Sequence, residues 1–267
     1  MQRKTFWLFA CRSLLPALLL IASVWSGLTC AETQFVDVYD GFETPTLSRV
    51  WSNDRFEPGA VEMQTNIVRA GHSAAKITVR SRDKFEAGIN GNKDSERAEL
   101  LEAKKLVAKE NVDYEYSFSE FIPADFPIVT NRLVIAQWKQ YCGGDNKPCS
   151  DDSPVVAVRF VGGRLYVTRQ ISRHQEKLFE TKDVLRGKWT DFKFQIRFTT
   201  GTNGFIKAWM NGKQVADYAG TTAYPENATT GYARPSHFYF KMGLYRDLMP
   251  EPMTIYIDEY RKRQLPD

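Results

Sequence analysis

Short stretches in which apolar and polar residues alternate recur along this chain, and they constrain its fold more than any other feature. Phe192, Phe194, Ile196 and Phe198 alternate with polar neighbours. Successive side chains of a β-strand point to opposite faces of a sheet, so this pattern predicts a strand with one buried face. The chain is therefore expected to build its core from sheets.

Turn residues separate the predicted strands, and Asn211-Gly212 is typical of a hairpin turn. Only Leu100–Glu110 is ambiguous between helix and strand, and it lacks a clear cap. So many strands predict one all-β domain over residues 32–267, a two-sheet antiparallel jelly-roll sandwich with a concave substrate cleft. The other predicted strands cover residues 75–79, 114–118, 133–138, 155–160, 165–171 and 254–260.

The first 31 residues have the composition of a secretory signal peptide. Three basic residues precede the apolar stretch Leu14–Val24, and Thr29–Ala31 offers small residues at a cleavage point. The apolar stretch is shorter than the roughly 20 residues that a membrane span needs. We therefore expect a secreted or periplasmic protein without a membrane span.

The charge balance gives no indication of a nucleic-acid partner. The chain has 36 Lys and Arg against 32 Asp and Glu, and removing the three basic residues of the signal leaves 33 against 32. Any preference for an anionic ligand must then come from local clusters of basic residues.

We expect the protein to act as a monomer.

Two cysteines remain after the predicted cleavage. Cys142 and Cys149 flank a short loop, which in an oxidising compartment predicts a disulfide. No soft ligands lie near them in the sequence, so no metal or other cofactor is expected there. A structural calcium ion in the acidic loops cannot be assigned from ligand spacing.

The segment Tyr239–Arg246 carries the strongest chemical signal. If it is a strand, Tyr239, Lys241, Gly243 and Tyr245 share one face, while the apolar residues between them take the other. A tyrosine hydroxyl can exchange a proton when neighbouring cations stabilise its anion. The exposed face of this strand is therefore a candidate site for proton transfer.

Two further segments place polar residues on one face of a strand. Arg97 and Glu99 alternate within Ser95–Leu100, and Gln137 and Lys139 alternate within Val134–Gln140. The basic residues Arg159, Arg164, Arg169 and Arg173 are most simply interpreted as a solvated face.

The motifs RAELLE, AQWK, YFKMGLYR and IYIDEYR, in that order, resemble the jelly-roll polysaccharide lyases. These comprise the heparin lyase I-like family, with glucuronan lyases and one alginate lyase family as relatives. The segments RGKWTDFKFQIRF and GFIKAWMNGKQV are similar to strands of the heparin lyase I-like branch. The likeness extends from about Gly41 to Arg261.

The resemblance implies cleavage of a uronic-acid polysaccharide (glucuronan, alginate or heparin-like) by β-elimination. In such enzymes the proton at C5 of the sugar is removed and the oxygen at C4 leaves. By position, Arg97 and Gln137 match the residues that neutralise the sugar carboxylate. Tyr245 matches the tyrosine that protonates the leaving oxygen and can also remove the C5 proton. Lys241 matches the lysine that supports the charge of the tyrosine. Tyr239 and Glu99 share this face and are candidate substrate-binding residues.

One position departs from the family pattern. Family members commonly carry Gln-x-His on the second strand, whereas this chain has Lys139 in place of the histidine. Tyr245 could then act as both base and acid, with Lys139 stabilising charge. Alternatively His174, with Arg169 and Arg173 beside it, enters the substrate site, or activity has been lost.

Two other functions remain open from the sequence. The acidic residues of Asp94–Glu99 resemble the strand of laminarinase-type glycoside hydrolases, although without a bulge Glu96 and Glu99 would face opposite ways. A carbohydrate-binding module would retain the basic and aromatic face without needing the tyrosine for proton transfer.

Overall fold

The computed structural model of the protein describes residues 36–52, 56–83, 95–142, 147–148, 153–181, 183, 185–226 and 235–266. The predicted signal peptide, residues 1–31, and Cys149 lie outside the described residues, as does the side chain of Cys142. The signal peptide and the disulfide therefore stay predictions. No helix among the described residues is long and apolar enough to cross a membrane.

Almost all regular structure in the described part of the chain is β-strand. The segment that was ambiguous by sequence becomes the end of one strand, a single 3₁₀ turn at Lys104–Leu106 and a two-residue strand. The strands are β1 (Asp37–Asp40), β2 (Trp51–Ser52), β3 (Val61–Gln64), β4 (Ala74–Val79), β5 (Ser95–Glu102), β6 (Ala108–Lys109), β7 (Asp113–Ile122), β8 (Leu133–Cys142), β9 (Lys147–Pro148), β10 (Val156–Val161), β11 (Arg164–Gln170), β12 (Gln175–Glu180), β13 (Lys188–Arg197), β14 (Phe205–Met210), β15 (Lys213–Ala219), β16 (His237–Asp247) and β17 (Met253–Gln264).

The strands form two antiparallel sheets. The back sheet has the order β15-β14-β13-β7-β17-β4-β3, with β1 paired to β17. The front sheet has the order β12-β11-β10-β8-β16-β5-β2, with β6 paired to β16 and β9 paired to β8. This arrangement confirms the predicted sandwich of the jelly-roll kind.

The alternating patterns place the apolar residues between the sheets. In β13, Phe192, Phe194 and Ile196 are buried whereas the residues between them are partly exposed. The predicted hairpin joins β14 to β15, and Asn211 and Gly212 both have positive φ angles of 50° and 78°, as a two-residue hairpin turn requires.

The interior also contains ionic groups, which the apolar pattern did not predict. Glu102 of β5 accepts a 3.0 Å hydrogen bond from Lys262 of β17 and another from Tyr260. Both charged side chains are fully buried. Because β5 and β17 belong to different sheets, this ion pair connects the two layers.

A second internal ion pair fixes the strand that carries the candidate site. Arg246, at the end of β16, lies 2.8 Å from the carboxylate of Glu96 on β5, and both side chains are buried. Arg246 and Glu96 are direct partners in the β5–β16 ladder, whose register is continuous from Lys241 to Asp247. The pair therefore holds β5 and β16 in register on the side of the front sheet that faces the interior.

Candidate active site

The three strands singled out by sequence are neighbours in the front sheet. Strand β16 lies between β5 and β8. Tyr245 is opposite Arg97, Gly243 is opposite Glu99, and Lys241 is opposite Gln137. Directly opposed residues of an antiparallel pair share a face, so these side chains converge on the outer face of the front sheet.

Glu99 is the centre of this group. Its carboxylate accepts a hydrogen bond from the Nε2 atom of Gln137 and a 2.7 Å bond from the Nζ atom of Lys241. The guanidinium of Arg97 lies 3.9 Å away. Glu99 and Gln137 are each only 2% exposed. Glu99 therefore links the other three side chains within a buried cluster.

The electrostatics of the Glu99 and Lys241 pair follow from burial and charge together. Burial by itself raises the pKa of Glu99, but the charges of Lys241 and Arg97 and the two hydrogen bonds outweigh it and lower the pKa below its ordinary value. The pKa of Lys241 is lowered to about 7, because burial, together with the charges of Arg97 and Lys139, lowers it more than Glu99 raises it. Glu99 is therefore an ionised partner for Lys241.

Tyr245 lies among cations. Its ring has the guanidinium of Arg97 at 4.7 Å and that of Arg132 at 4.8 Å from the ring centre. The Nζ atom of Lys241 is 5.9 Å from the same point. These distances are typical of cation–π interactions and surround the ring of Tyr245 with positive charge.

Gly243 allows the close approach of β5 and β16 at this point. It has a φ of 132°, and a side chain there would meet the backbone of Ala98 and Glu99. The pairing of β16 with β8 also shifts register between Met242 and Tyr245. This irregularity is a β-bulge of the kind that redirects side chains near active sites.

The remaining predicted site residues occupy different places. Tyr239 is opposite Lys139, and its ring is 4.5 Å from that of Tyr141. Arg169 instead pairs with the core residue Val156, so it lies on the opposite face of the front sheet. Its guanidinium bonds the carbonyl oxygen of Thr221.

His174 and Arg173 lie in the exposed turn between β11 and β12. Strand β11 is three strands from β16, a separation of about 14 Å. Tyr166, near the start of β11, is connected to Tyr245 across the sheet through the paired residues Arg159 and Val134. The turn follows the other end of β11, which is farther from Tyr245. The structure does not bring His174 beside Tyr245.

Sequence reasoning missed Arg132 and interpreted Arg159 as part of a solvated face. Arg132 precedes β8 and is paired with Asp247 at 2.7 Å. Arg159 is only partly exposed and lies on the same face as Gln137, because Ala157, two residues before it, is opposite Gln137. The alternation of β10 could have placed Arg159 on this face, but nothing local indicated that Arg132 reaches Tyr245.

The face is not that of a paired-carboxylate hydrolase. Glu96 is paired with Arg246 in the interior, whereas Glu99 belongs to the outer face. No bulge interrupts β5 between them in its pairing with β16. The two carboxylates therefore point to opposite sides of the sheet.

Comparisons with known proteins agree with this arrangement of strands. Residues 41–261 match the family profile described as polysaccharide lyase. A comparison with curated protein sequences found no match.

Solved structures share the fold at low sequence identity. An endo-β-1,4-glucuronan lyase from the fungus Trichoderma reesei is 20% identical with a TM-score of 0.58, over 80% of this chain and 91% of that one. Alginate lyase AlgAT5 of polysaccharide lyase family 7 is 17% identical with a TM-score of 0.54, over 79% and 84%. Cellulose induced protein Cip1 is 15% identical with a TM-score of 0.54, over 84% and 96%.

The family match covers most of the chain, including all three strands of the candidate site. The resemblance of the motifs to jelly-roll polysaccharide lyases is confirmed, while the narrower heparin lyase I-like assignment stays a prediction. The chain belongs to the polysaccharide lyase family.

Proposed function

We propose that this protein cleaves a uronic-acid-containing polysaccharide by β-elimination. The observation that carries the proposal is the convergence of Arg97, Gln137, Lys139, Lys241 and Tyr245 on one face of the front sheet. The glucuronan lyase and the alginate lyase that share this fold support a polyuronate such as glucuronan or alginate as the substrate. A heparin-like substrate belongs to the same proposal.

The chemical difficulty of β-elimination is electrostatic. Removing the C5 proton puts negative charge next to a carboxylate, so positive charge and hydrogen-bond donors must neutralise that group. We assign this role to Arg97, Gln137 and Lys139. Glu99 supports two of them, because its carboxylate orients the amide of Gln137 and lies 3.9 Å from the guanidinium of Arg97.

Tyr245 takes the proton-transfer role. In its phenolate form it removes the C5 proton, and the hydroxyl so formed gives that proton to the leaving oxygen at C4, which suits elimination on one side of the sugar. The guanidinium groups of Arg97 and Arg132 stabilise the negative charge that develops on this path. Lys139 stands where relatives commonly have a histidine, and a lysine serves better as a charge partner than as a base.

The deciding experiment follows ultraviolet absorbance of the unsaturated product while the protein acts on glucuronan, alginate, heparin and heparan sulfate. New reducing ends without this absorbance would indicate hydrolysis, and binding without cleavage would indicate a carbohydrate-binding module. Replacing Tyr245 with phenylalanine is expected to reduce turnover by at least about 100-fold. Unchanged turnover in this variant would remove Tyr245 from its role.

Lys139 allows a second test of the mechanism. If the lysine is a charge partner, Lys139→Gln lowers kcat/KM on the best polyuronate, and Lys139→His retains more activity than the glutamine variant. A histidine variant faster than the native protein would show instead that the family histidine has the better chemistry at this position.

We also propose that residues 1–31 direct export to the periplasm or the medium and that Cys142 and Cys149 form a disulfide. The composition of the first segment and the spacing of the two cysteines support this. Mass spectrometry of the exported protein, with and without reductant, tests both statements. A mature protein that retains residue 1 or contains two free thiols would contradict them.

A further inference from the structure

A second group of basic side chains lies on the same outer face of the front sheet. Followed along the strands from Gln137, this group comes after Gln137 in the direction of Tyr245. Gln137 and Arg132 are five positions apart, with the first four residues of β8 between them, a distance of about 16 Å along an extended chain. Tyr245 pairs with Val134, between these two positions. The backbone of Arg132 is therefore on the other side of Tyr245 from that of Gln137, and its guanidinium lies 4.8 Å from the centre of the Tyr245 ring.

Arg159 belongs to this second group. Strand β10 pairs Arg159 with Val134, the residue that also pairs with Tyr245. Burial lowers the pKa of Arg159, the nearby charge of Arg132 lowers it further, and Tyr245 raises it. Arg159 and Tyr245 therefore flank Val134, and the guanidinium of Arg132 lies 4.8 Å from the centre of the Tyr245 ring.

The two arginines are incompletely compensated by protein groups. Arg159 makes a 3.3 Å hydrogen bond to the hydroxyl of Thr168, and it forms no ion pair with any residue in the described ranges. Arg132 is paired with Asp247, yet its Nε atom is buried without a hydrogen-bond partner among the described residues. Guanidinium groups bind planar oxyanions with two parallel hydrogen bonds.

We propose that Arg132 and Arg159 form a second oxyanion subsite, which binds the carboxylate or sulfate of the sugar on the leaving-group side of the cleaved bond. The inference rests on the proposed function, in which Tyr245 protonates the oxygen that joins the two sugars. Arg97, Gln137 and Lys139 hold the carboxylate of one sugar, so a group across Tyr245 contacts the other. The enzyme then recognises a negatively charged group on each side of the glycosidic bond that it cleaves.

The test measures binding in a Tyr245→Phe background, which cannot complete the reaction. Calorimetry compares a uronate tetrasaccharide with the same tetrasaccharide after its leaving-side carboxylates have been reduced to alcohols. In this background, Arg159→Gln is expected to raise Kd for the charged tetrasaccharide by about tenfold or more, the usual effect of losing a hydrogen bond to a charged group. It should barely change Kd for the reduced one, because the interaction has already been removed.

The matched control is Arg263→Gln, which removes one positive charge from the back sheet, where Arg263 pairs with Glu115 at 2.7 Å. A heparin-derived tetrasaccharide, with sulfate on the sugar beside the uronate, separates sulfate from carboxylate recognition. Equal Kd values for Arg159→Gln and Arg263→Gln would overturn the subsite and leave the proposed function intact. No binding of any tetrasaccharide to the folded Tyr245→Phe protein would instead contradict the proposed function.

Arg132→Gln provides a second variant if Arg159→Gln does not fold, since the side chain of Arg132 is 36% exposed. If the arginines only stabilise Tyr245, the variants would lower kcat in the native background without changing Kd in the phenylalanine background. That result would also overturn the subsite.

Discussion

Replacing Gly243 with alanine should damage both stability and activity, because this glycine lets β16 approach β5. An added Cβ atom would lie 2.9 Å from the Cα atom of Glu99 and closer still to the carbonyl oxygen of Ala98. Carbon atoms normally make contact at about 3.5–4.0 Å. The two strands would therefore have to separate by roughly 0.6–1 Å where Glu99 is held.

Two costs contribute to the expected loss of stability. The φ of 132° at Gly243 is strained for any other residue, at about 1–3 kcal/mol, and forcing the backbones apart adds about 1–3 kcal/mol. For a domain of this size, a total of about 2–6 kcal/mol lowers Tm by roughly 4–24 °C. A displacement of this size at Glu99 is also expected to lower kcat/KM by about 100-fold.

The matched control is Gly212→Ala in the β14–β15 hairpin. Gly212 also has a positive φ, of 78°, but an added Cβ atom there meets nothing within 4 Å. Its cost is therefore limited to the left-handed backbone, about 1–2 kcal/mol. Thermal unfolding and the absorbance assay on a polyuronate measure both variants. Equal Tm values, or full activity in folded Gly243→Ala, would refute the reasoning.

Three further predictions concern buried charges. Glu99→Gln removes the charge that raises the pKa of Lys241, so this pKa should fall below the value of about 7 that it has beside Glu99. If the lysine cation is needed, the pH above which kcat/KM declines should be lower in the variant than in the native protein, in a profile measured between about pH 5 and 9. A decline at the same pH in both proteins would contradict this. Burial raises the pKa of Glu120 well above its ordinary value, and neither of its oxygens has a hydrogen-bond partner among the described residues. As the pH rises, the unfolded chain loses the proton of Glu120 before the folded protein does. The free energy of unfolding should therefore fall above about pH 4.3, by up to about 1.4 kcal/mol per pH unit. In denaturant unfolding, Glu120→Gln should remove this dependence of the free energy of unfolding on pH. The same pH dependence in the variant and the native protein would disprove the prediction. Glu102→Gln or Lys262→Met alone should each cost about 3–5 kcal/mol, while the double variant should lie near the native stability. Additive losses in urea unfolding would show that the two side chains do not act as a pair.

The sequence predicted the strands that apolar alternation marks clearly. Phe192–Phe198 and the Asn211-Gly212 hairpin were placed correctly because neighbouring residues decide both patterns. The same periodicity placed Lys241 and Tyr245 on one face of β16. Very short strands such as β2 and β6 have too few residues to show a period.

Buried charge was harder to predict. Glu96, Glu102 and Lys262 appear in the sequence as ordinary polar residues, yet they form ion pairs in the interior. Their partners are more than a hundred residues away along the chain. Local patterns contain no information about such distant charges.

By itself, the sequence determined the class of the fold and the face on which each candidate residue of β5, β8 and β16 lies, because alternation is a property of neighbouring residues. Only the tertiary structure decided that these strands are adjacent, that Glu99 is buried among Arg97, Gln137 and Lys241, and that Arg132 lies against Tyr245. It also decided that Arg159 and Tyr245 flank the same residue, Val134. The physical reason is that strand order and burial depend on which distant segments pair, and pairing follows from the packing of the whole sandwich.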